Sequence, residues 1–533
     1  MDERHPPYTQ LFQAWEPDAW VDAEATRGVA LPASVTLTEL QRVCGAPKLH
    51  ALHPETLHVA RNASFWAQGY VWHSHRATSR QHAIGRCFNS LAGFRPRMCS
   101  LDNIMLYGKH RTLNNATHIL VPAKLWNTLP KREKEGGVNL ARKWRQYFLR
   151  YVHNTSKLTT GYAHNHTVCL EHTSIGCGGH VILASNPAGV GYFHTLYDSL
   201  NSIAFALDMV RQPVPRVTVL DNMCLLATDG AKFGTHEALE ERMCQTEGKL
   251  QVPPFVSELF KLLGIELSSL QHYPWLRQKN GLATFADRVT WDCSNTPYRH
   301  FWHVTKLRHE IHARLQDPPP RREAVIVVDR SNRTISQNRL KDESRRVVAH
   351  QTEIIERVGW IVAALPGRFR AVRFTGDDTR IVDQAALFHS AAAVIGPHGA
   401  AEANYIFCQR GTPVVEYVRS VPPTTRQSAL YMGYAHAFDL PYWIVHSNAT
   451  DGSYSQILPE NVGETVRLLL VITYPAASTL SEGERLALGA AHRVSVDWDT
   501  FVTHAYDQTS RRANPEKMES NDVWRLHGIL GVQ

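Results

Sequence analysis

The sequence predicts an α/β fold built as two successive α/β domains, and three observations lead there. From Ala324 to Ile472, strand-length apolar runs alternate with helical patterns, which implies a parallel sheet with helices on its faces. An earlier stretch, His180 to Val210, shows the same order of apolar strand, glycine-containing loop and helix. Between the two, Asp317-Pro318-Pro319-Pro320-Arg321-Arg322 ends a helix and favours an extended connection, because proline lacks the N–H that a helix needs. The corresponding boundaries are an N-terminal extension over 1–95, a first domain over 96–316, a second over 317–480 and a tail over 481–533.

Bulk properties narrow the function classes. A chain of 533 residues, 43% hydrophobic and 20% charged, is long enough for large buried cores. Its formal charge of +8 is spread thinly over that length, the pattern of a solvated surface, so no nucleic-acid partner is expected. No window approaches the roughly 18 apolar residues of a membrane-spanning helix. The longest run, Leu468 to Ile472, fits a buried helix. The opening MDERHPPYTQ is polar and holds no signal-peptide core, and no membrane anchor is visible. Glycosylation sequons at Asn62, Asn115, Asn154, Asn165, Asn332 and Asn448 lean toward the secretory pathway. Nine cysteines without a C-x-x-C pair argue against zinc ribbons and thioredoxin chemistry, and Cys408 reads as a buried thiol.

Residues 1–95 are aromatic-rich and show no clear period, as expected of an extension packed on a larger body. The pairs His73 and His75, His164 and His166, and His309 and His312 lack a third or fourth ligand at consistent spacing, so no metal site is predicted. In the basic segment Lys131 to Lys157, Trp144, Tyr147, Phe148 and Tyr151 share one helical face and read as a core contact. A strand follows at Val181 to Ala184 and a helix from about Tyr192. On that helix His194 and Asp198 stand four apart, on one face. An imidazole oriented by a carboxylate could take a proton from a hydroxyl nucleophile, as could a carboxylate alone; a capped surface His–Asp pair is the structural alternative. A strand at Val217 to Leu220 and helices at Phe255 to Leu263 and Trp302 to Leu315 complete the first domain.

The second domain opens with the strand Ala324 to Val328 and runs into Asp329-Arg330-Ser331-Asn332-Arg333. Arg330, at the strand's carboxyl end, suits a phosphate or uracil-side contact. A helix at Asp342 to Val358, a strand at Ala371 to Phe374 and a helix at Thr379 to Ser390 lead to the strand Ala391 to Ile395, which ends at Gly396-Pro397-His398-Gly399. Ligands of open α/β sheets lie outside such carboxyl ends, and a helix from about Ala400 would offer its first N–H groups to an anion. His398 stands at that mouth as a donor, and Gly399 lets the backbone come close. Glu416, on the strand Pro413 to Tyr417, either accepts hydrogen bonds from a ribose or sugar hydroxyl or is a structural carboxylate. A strand at Tyr442 to Val445 and a helix at Glu460 to Ile472 finish the domain, with the tail from Ser481 packing back across it.

Gln384, Leu387-Phe388, Val394-Ile395-Gly396-Pro397-His398-Gly399-Ala400, Asn404, Phe407 and Val414-Val415-Glu416 resemble the signature of glycosyltransferase family 61. The resemblance implies a GT-B type α/β fold, two facing Rossmann-like domains. It implies inverting transfer of N-acetylglucosamine or xylose from a UDP-sugar to a hydroxyl of a glycoprotein or glycan, with no metal or other cofactor required, in the lumen of the Golgi or endoplasmic reticulum. Phe193-His194 with Asp198 resembles the family's first-domain aromatic-His and Asp, which gives His194 and Asp198 catalytic places. Arg330, Arg333, Gln384, His398, Gly399, Ala400 and Glu416 take donor-binding places. The chain departs from the pattern at Ala401-Glu402-Ala403, where relatives continue with Gly, an apolar residue and a small hydroxyl residue. Glu402 is then either a partner of the helix dipole or a carboxylate that would repel a diphosphate. A dinucleotide oxidoreductase finds little support, since no strand is followed by G-x-G-x-x-G and Gly176-Cys177-Gly178-Gly179 precedes its strand. A non-catalytic, glycan-binding relative is the other alternative, and Glu402 and the Arg333 region speak for it.

Overall fold

The computed structural model describes residues 13–15, 20–23, 29–32, 48–53, 98–108, 118–122, 180–183, 192–200, 217–221, 254–265, 270–272, 283–292, 301–315, 318–330, 347–376, 379–419, 430–447, 449 and 454–494. In chain order the first part forms β1 (Gln13–Trp15), β2 (Trp20–Ala23), β3 (Val29–Pro32), β4 (Leu49–Ala51), β5 (Met98–Gly108), β6 (His118–Pro122) and β7 (His180–Leu183). Then come α1 (Tyr192–His194), which runs on as a π-helical turn over Thr195–Ser199, β8 (Val217–Asp221), α2 (Pro254–Leu262), β9 (Leu270–His272) and β10 (Ala283–Asp292). The second part forms α3 (Phe301–His312), β11 (Ala324–Val328), α4 (Gln351–Ala364), β12 (Arg370–Phe374), α5 (Ile381–His389), β13 (Ala391–Pro397), a 3-10 helix (Ala400–Phe407) and β14 (Val414–Arg419). It closes with α6 (Leu430–Ala437), β15 (Tyr442–Ser447), α7 (Pro459–Thr473), α8 (Glu482–Ala491) and β16 (Arg493–Val494). None of the described helices is long and apolar enough to cross a membrane.

These elements fall into two compact α/β units. The first holds a sheet of order β1-β5-β10-β7-β8-β9, with β6 also on β5. Strands β10, β7, β8 and β9 run parallel, while β5 is antiparallel to β1, β6 and β10. Helix α2 buries Val256, Leu259 and Phe260, and Leu263 is buried just beyond it, the three- and four-residue spacing that predicted it. The long strands β5 and β10 were not predicted. Polar pairs such as Asp102-Asn103 and Asp287-Arg288 interrupt any two-residue alternation, and what joins the strands is mutual pairing, with Asp102 opposite Arg288 in the register.

The second unit holds a sheet of order β12-β11-β13-β14-β15-β4-β16, parallel except for β16 on β4. Every residue of β11 and β13 is buried, as uninterrupted apolar runs require of strands covered on both faces. One face packs Val325, Val327, Ile395, Val415 and Trp443 against Ile354, Val358 and Val362 of α4 and Val462, Val466 and Leu469 of α7. Helix α4 lies later in the chain than the predicted 342–358. The apolar series Ile354, Val358, Val362 carries it to Ala364, and Pro366 follows the Leu365 cap. Leu49–Ala51, expected in the N-terminal extension, is a strand of this sheet. It lies between β15 and the tail strand β16, with His50 stacked on Trp443 at 4.8 Å between ring centres.

Candidate active site

The order of the second sheet marks one place for a ligand. From β11 the chain passes through α4 to β12 on one side, then crosses back through α5 to β13 on the other. The carboxyl ends of β11 and β13 therefore lie side by side where the winding reverses, the switch point at which doubly wound sheets hold ligands. Val327 pairs in register with Ile395, so Val328 stands level with Gly396. A Cβ on Gly396 would come within 2.6 Å of the Val328 Cβ, which leaves glycine as the residue that fits between the strand ends.

Arg330 and His398 continue from these two ends. The Arg330 guanidinium donates through Nη1 to the His398 carbonyl at 3.0 Å and so ties the two lips of the crevice together. Gly399 has an extended backbone, φ 174° and ψ 179°, that any residue could adopt. Its need is for space: a Cβ there would lie 2.6 Å from Arg330 Nη1. The helix that begins at Ala400 is 3-10, not α-helical, and it starts beside this arginine. Near the same strand end, the Gln351 amide at the start of α4 donates to the Val328 carbonyl at 3.2 Å, while its buried Oε1 has no hydrogen-bond partner among the described residues. Asp329, also buried, accepts from Arg373 Nε at 2.6 Å.

Behind the crevice lies a buried polar network. His398 Nδ1 donates to Glu416 Oε1 at 2.6 Å, which among the described residues leaves Nε2 as the ring nitrogen open to a ligand, and Tyr431 packs edge-to-face with the imidazole at 5.0 Å. Glu416 Oε2 accepts the Tyr442 hydroxyl. Both Glu416 oxygens are thus occupied and the residue is 2% exposed, so the carboxylate orients His398 instead of facing a sugar hydroxyl. Glu402 turns back on its own helix, where it accepts the Gly399 N–H at 3.2 Å and the Tyr405 hydroxyl at 2.9 Å. Burial first, and then the Glu416 charge, holds the Glu402 carboxyl well above the usual carboxylate range. His398, Glu402 and Glu416 are the one group among the described residues with ligand atoms close enough to share a metal ion, within 4.8 Å. Their bonds to one another, to two tyrosines and to a backbone N–H already engage those atoms, so the set reads as a hydrogen-bond network.

The remaining predicted residues fall in different places. Gln384 donates to the Thr379 carbonyl at 2.9 Å and accepts from Asn404 at 3.2 Å, which pins α5 to the 3-10 helix. His194 and Asp198 belong to the first unit. His194 ends α1 and Asp198 lies in the π-helical turn, whose wider winding alters the four-residue spacing expected of an α-helix. Arg333, the pairs His73/His75 and His164/His166, and the sequon asparagines lie outside the described residues. On α3, His309 is exposed while His312 turns inward to the Ile406 carbonyl, so these two do not converge on a cation. Tyr442, Tyr431 and Gln351 were missed. Tyr442 opens an apolar run and Tyr431 sits among aromatics, so both look like core, and no spacing signals the polar end of a phenol.

Residues 192–415 match the family described as Glycosyltransferase 61, a span that runs from α1 to the second residue of β14 and takes in Arg330 and the His398 loop. The match supports membership of glycosyltransferase family 61 for this part of the chain. It indicates glycosyltransferase activity, and that family implies a nucleotide-sugar donor and a glycan or glycoprotein acceptor. No curated protein matches the chain.

Proposed function

We propose that this family 61 enzyme moves N-acetylglucosamine or xylose, with inversion, from a uridine diphosphate sugar to a hydroxyl of a glycoprotein or glycan in the Golgi or endoplasmic reticulum lumen. The observation that carries the donor side is the Arg330–His398 bond across the switch point, beside the start of the 3-10 helix. Sugar transfer needs the bond between the anomeric carbon and the β-phosphate oxygen to break as the acceptor oxygen bonds to that carbon. The diphosphate leaves with the electron pair. Arg330, His398 Nε2 and the N–H groups at Ala400 would meet the charge that develops on it. They supply positive charge without a bound ion, so a metal is not required in this reading. The acceptor hydroxyl needs a base to take its proton, and Asp198 or His194 is the candidate that the family resemblance supports. Glu402 does not oppose the reading, because it is wholly buried and bonded into its own helix.

A thermal-shift screen against UDP, GDP, NAD and UDP-sugars tests the donor half, since a ligand that binds only the folded chain raises the melting temperature. UDP species should stabilise the wild type and fail to stabilise His398→Ala and Arg330→Ala, each first checked for an unchanged melt without ligand. Stabilisation by NAD, or undiminished UDP stabilisation of both variants, would sink the assignment. Transfer should also continue in excess chelator, and loss of turnover restored by a divalent cation would count against the metal-free route.

A further inference from the structure

Two carboxylates meet behind the His398 loop. Glu402 and Glu416 are 0% and 2% exposed, and an oxygen of each lies within 4.8 Å of the other and of a His398 ring nitrogen. Both cannot be ionised cheaply in so dry a place, and one proton on the pair removes the conflict. The groups that face them decide where it goes. Glu416 has the His398 imidazole at 2.6 Å and the Tyr442 hydroxyl as partners. Glu402 has only neutral donors at bonding distance among the described residues, the Gly399 N–H and the Tyr405 hydroxyl, and the Arg330 guanidinium acts on it only through space.

We propose that Glu402 is a positioning residue that works as an uncharged acid: it anchors the Gly399 N–H and the Tyr405 hydroxyl, and so fixes the His398–Gly399 turn, without setting a second negative charge behind a bound diphosphate. The inference rests on the reading of this loop as the diphosphate site. Burial and the neighbouring Glu416 charge act in the same direction, keeping the proton on Glu402 well above the usual carboxylate range. Ionisation of Glu402 as pH rises would place a charge against the phosphates in a medium of low dielectric and weaken donor binding. A glutamine in its place keeps the shape and one acceptor for the Gly399 N–H, and cannot ionise.

UDP affinity measured by calorimetry on the full chain from neutral to alkaline pH tests this, for wild type, Glu402→Gln and Glu402→Ala. The wild type should lose about tenfold in affinity toward the alkaline end, an order of magnitude set by one added charge near the phosphates. Glu402→Gln should bind at neutral pH and keep its affinity, while Glu402→Ala, lacking the anchor, should bind weakly throughout. Any alkaline loss that comes from other groups is common to wild type and the Gln variant and cancels between them. Parallel pH profiles for those two overturn the inference and leave the donor site standing. Absence of UDP binding by the wild type at every pH overturns the donor-site reading and this inference with it. Should the Gln variant not fold, the infrared carbonyl band of a buried protonated carboxyl decides the matter in the wild type. The band should be present at neutral pH and fade in step with UDP affinity, and its absence at neutral pH overturns the proposal.

Discussion

Gly399 and Tyr442 separate the proposed binding role from the stabilising one. At Gly399 an added methyl would press on the far end of the Arg330 side chain, 2.6 Å from Nη1, while the nearest backbone atom, the Pro397 carbonyl oxygen, stands at 3.8 Å. Gly399→Ala should therefore leave folding stability unchanged within about 0.5 kcal/mol while UDP affinity drops about tenfold, because the arginine gives up its place over the His398 carbonyl. Calorimetric titration beside a urea melt checks both halves. Tyr442 behaves the other way. Its hydroxyl is the buried donor to Glu416 Oε2, so Tyr442→Phe leaves a carboxylate oxygen dry and without a donor. That should cost about 1–3 kcal/mol in urea denaturation. A variant as stable as wild type would mean that the oxygen finds another donor.

The 3-10 helix is the element on which the site depends, and basic side chains hold its far end. The carbonyls of Ile406, Phe407 and Cys408 bond to His312 Nε2 at 2.8 Å, His389 Nδ1 at 3.1 Å and Arg308 Nη2 at 2.6 Å, which is where a helix leaves its acceptors unpaired and its dipole negative. Burial, and then the Arg308 charge, lowers the His312 pKa from 6.5 to about 3; burial, and then Arg493, lowers that of His50 to about 4; and His389 moves the same way. These histidines are neutral in the fold and take up protons on unfolding at mildly acid pH. Their contribution is present above pH 6.5 and lost as pH falls through their folded values, so the urea midpoint should drop between pH 6.5 and 4. His312→Asn should flatten part of that slope, and an unchanged slope would remove His312 from the account. The same contrast explains what sequence could foretell. Strands β11, β13 and β14 and helices α5 and α7 are legible because uninterrupted apolar runs or a four-residue apolar period encode them locally. The 3-10 winding of 400–407 is not legible, because the side chains that close it come from residues 308, 312 and 389, far off in sequence. The His398 mouth was legible from one polar residue breaking an apolar run, but Glu416's duty to His398 depends on β13 and β14 lying side by side, with Gly396 opposite Glu416.

At the scale of the whole chain, the second sheet draws on both ends of the sequence. Its central strands come from residues 324–447, yet β4 arrives from residues 49–51 and β16 from 493–494, with β4 paired on both sides. Leu49 and Ala51 are fully buried, and His50 covers Trp443, itself 2% exposed. A chain that begins at residue 54 would lose β4, leave β16 without its partner and lay open the edge of β15. Lost apolar burial alone should lower stability on the order of 3 kcal/mol. Hydrogen exchange should quicken first at residues 442–447, where inter-strand bonds to β4 would be missing. The bare edge is also a template for a second chain, so the shortened protein should self-associate at concentrations where the full chain does not. The crevice proposed for the donor lies between β11 and β13, with β13, β14 and β15 between it and that edge, so UDP should still raise the melting temperature from its lowered starting point. Loss of UDP stabilisation together with the edge would mean that the crevice depends on the sheet being complete.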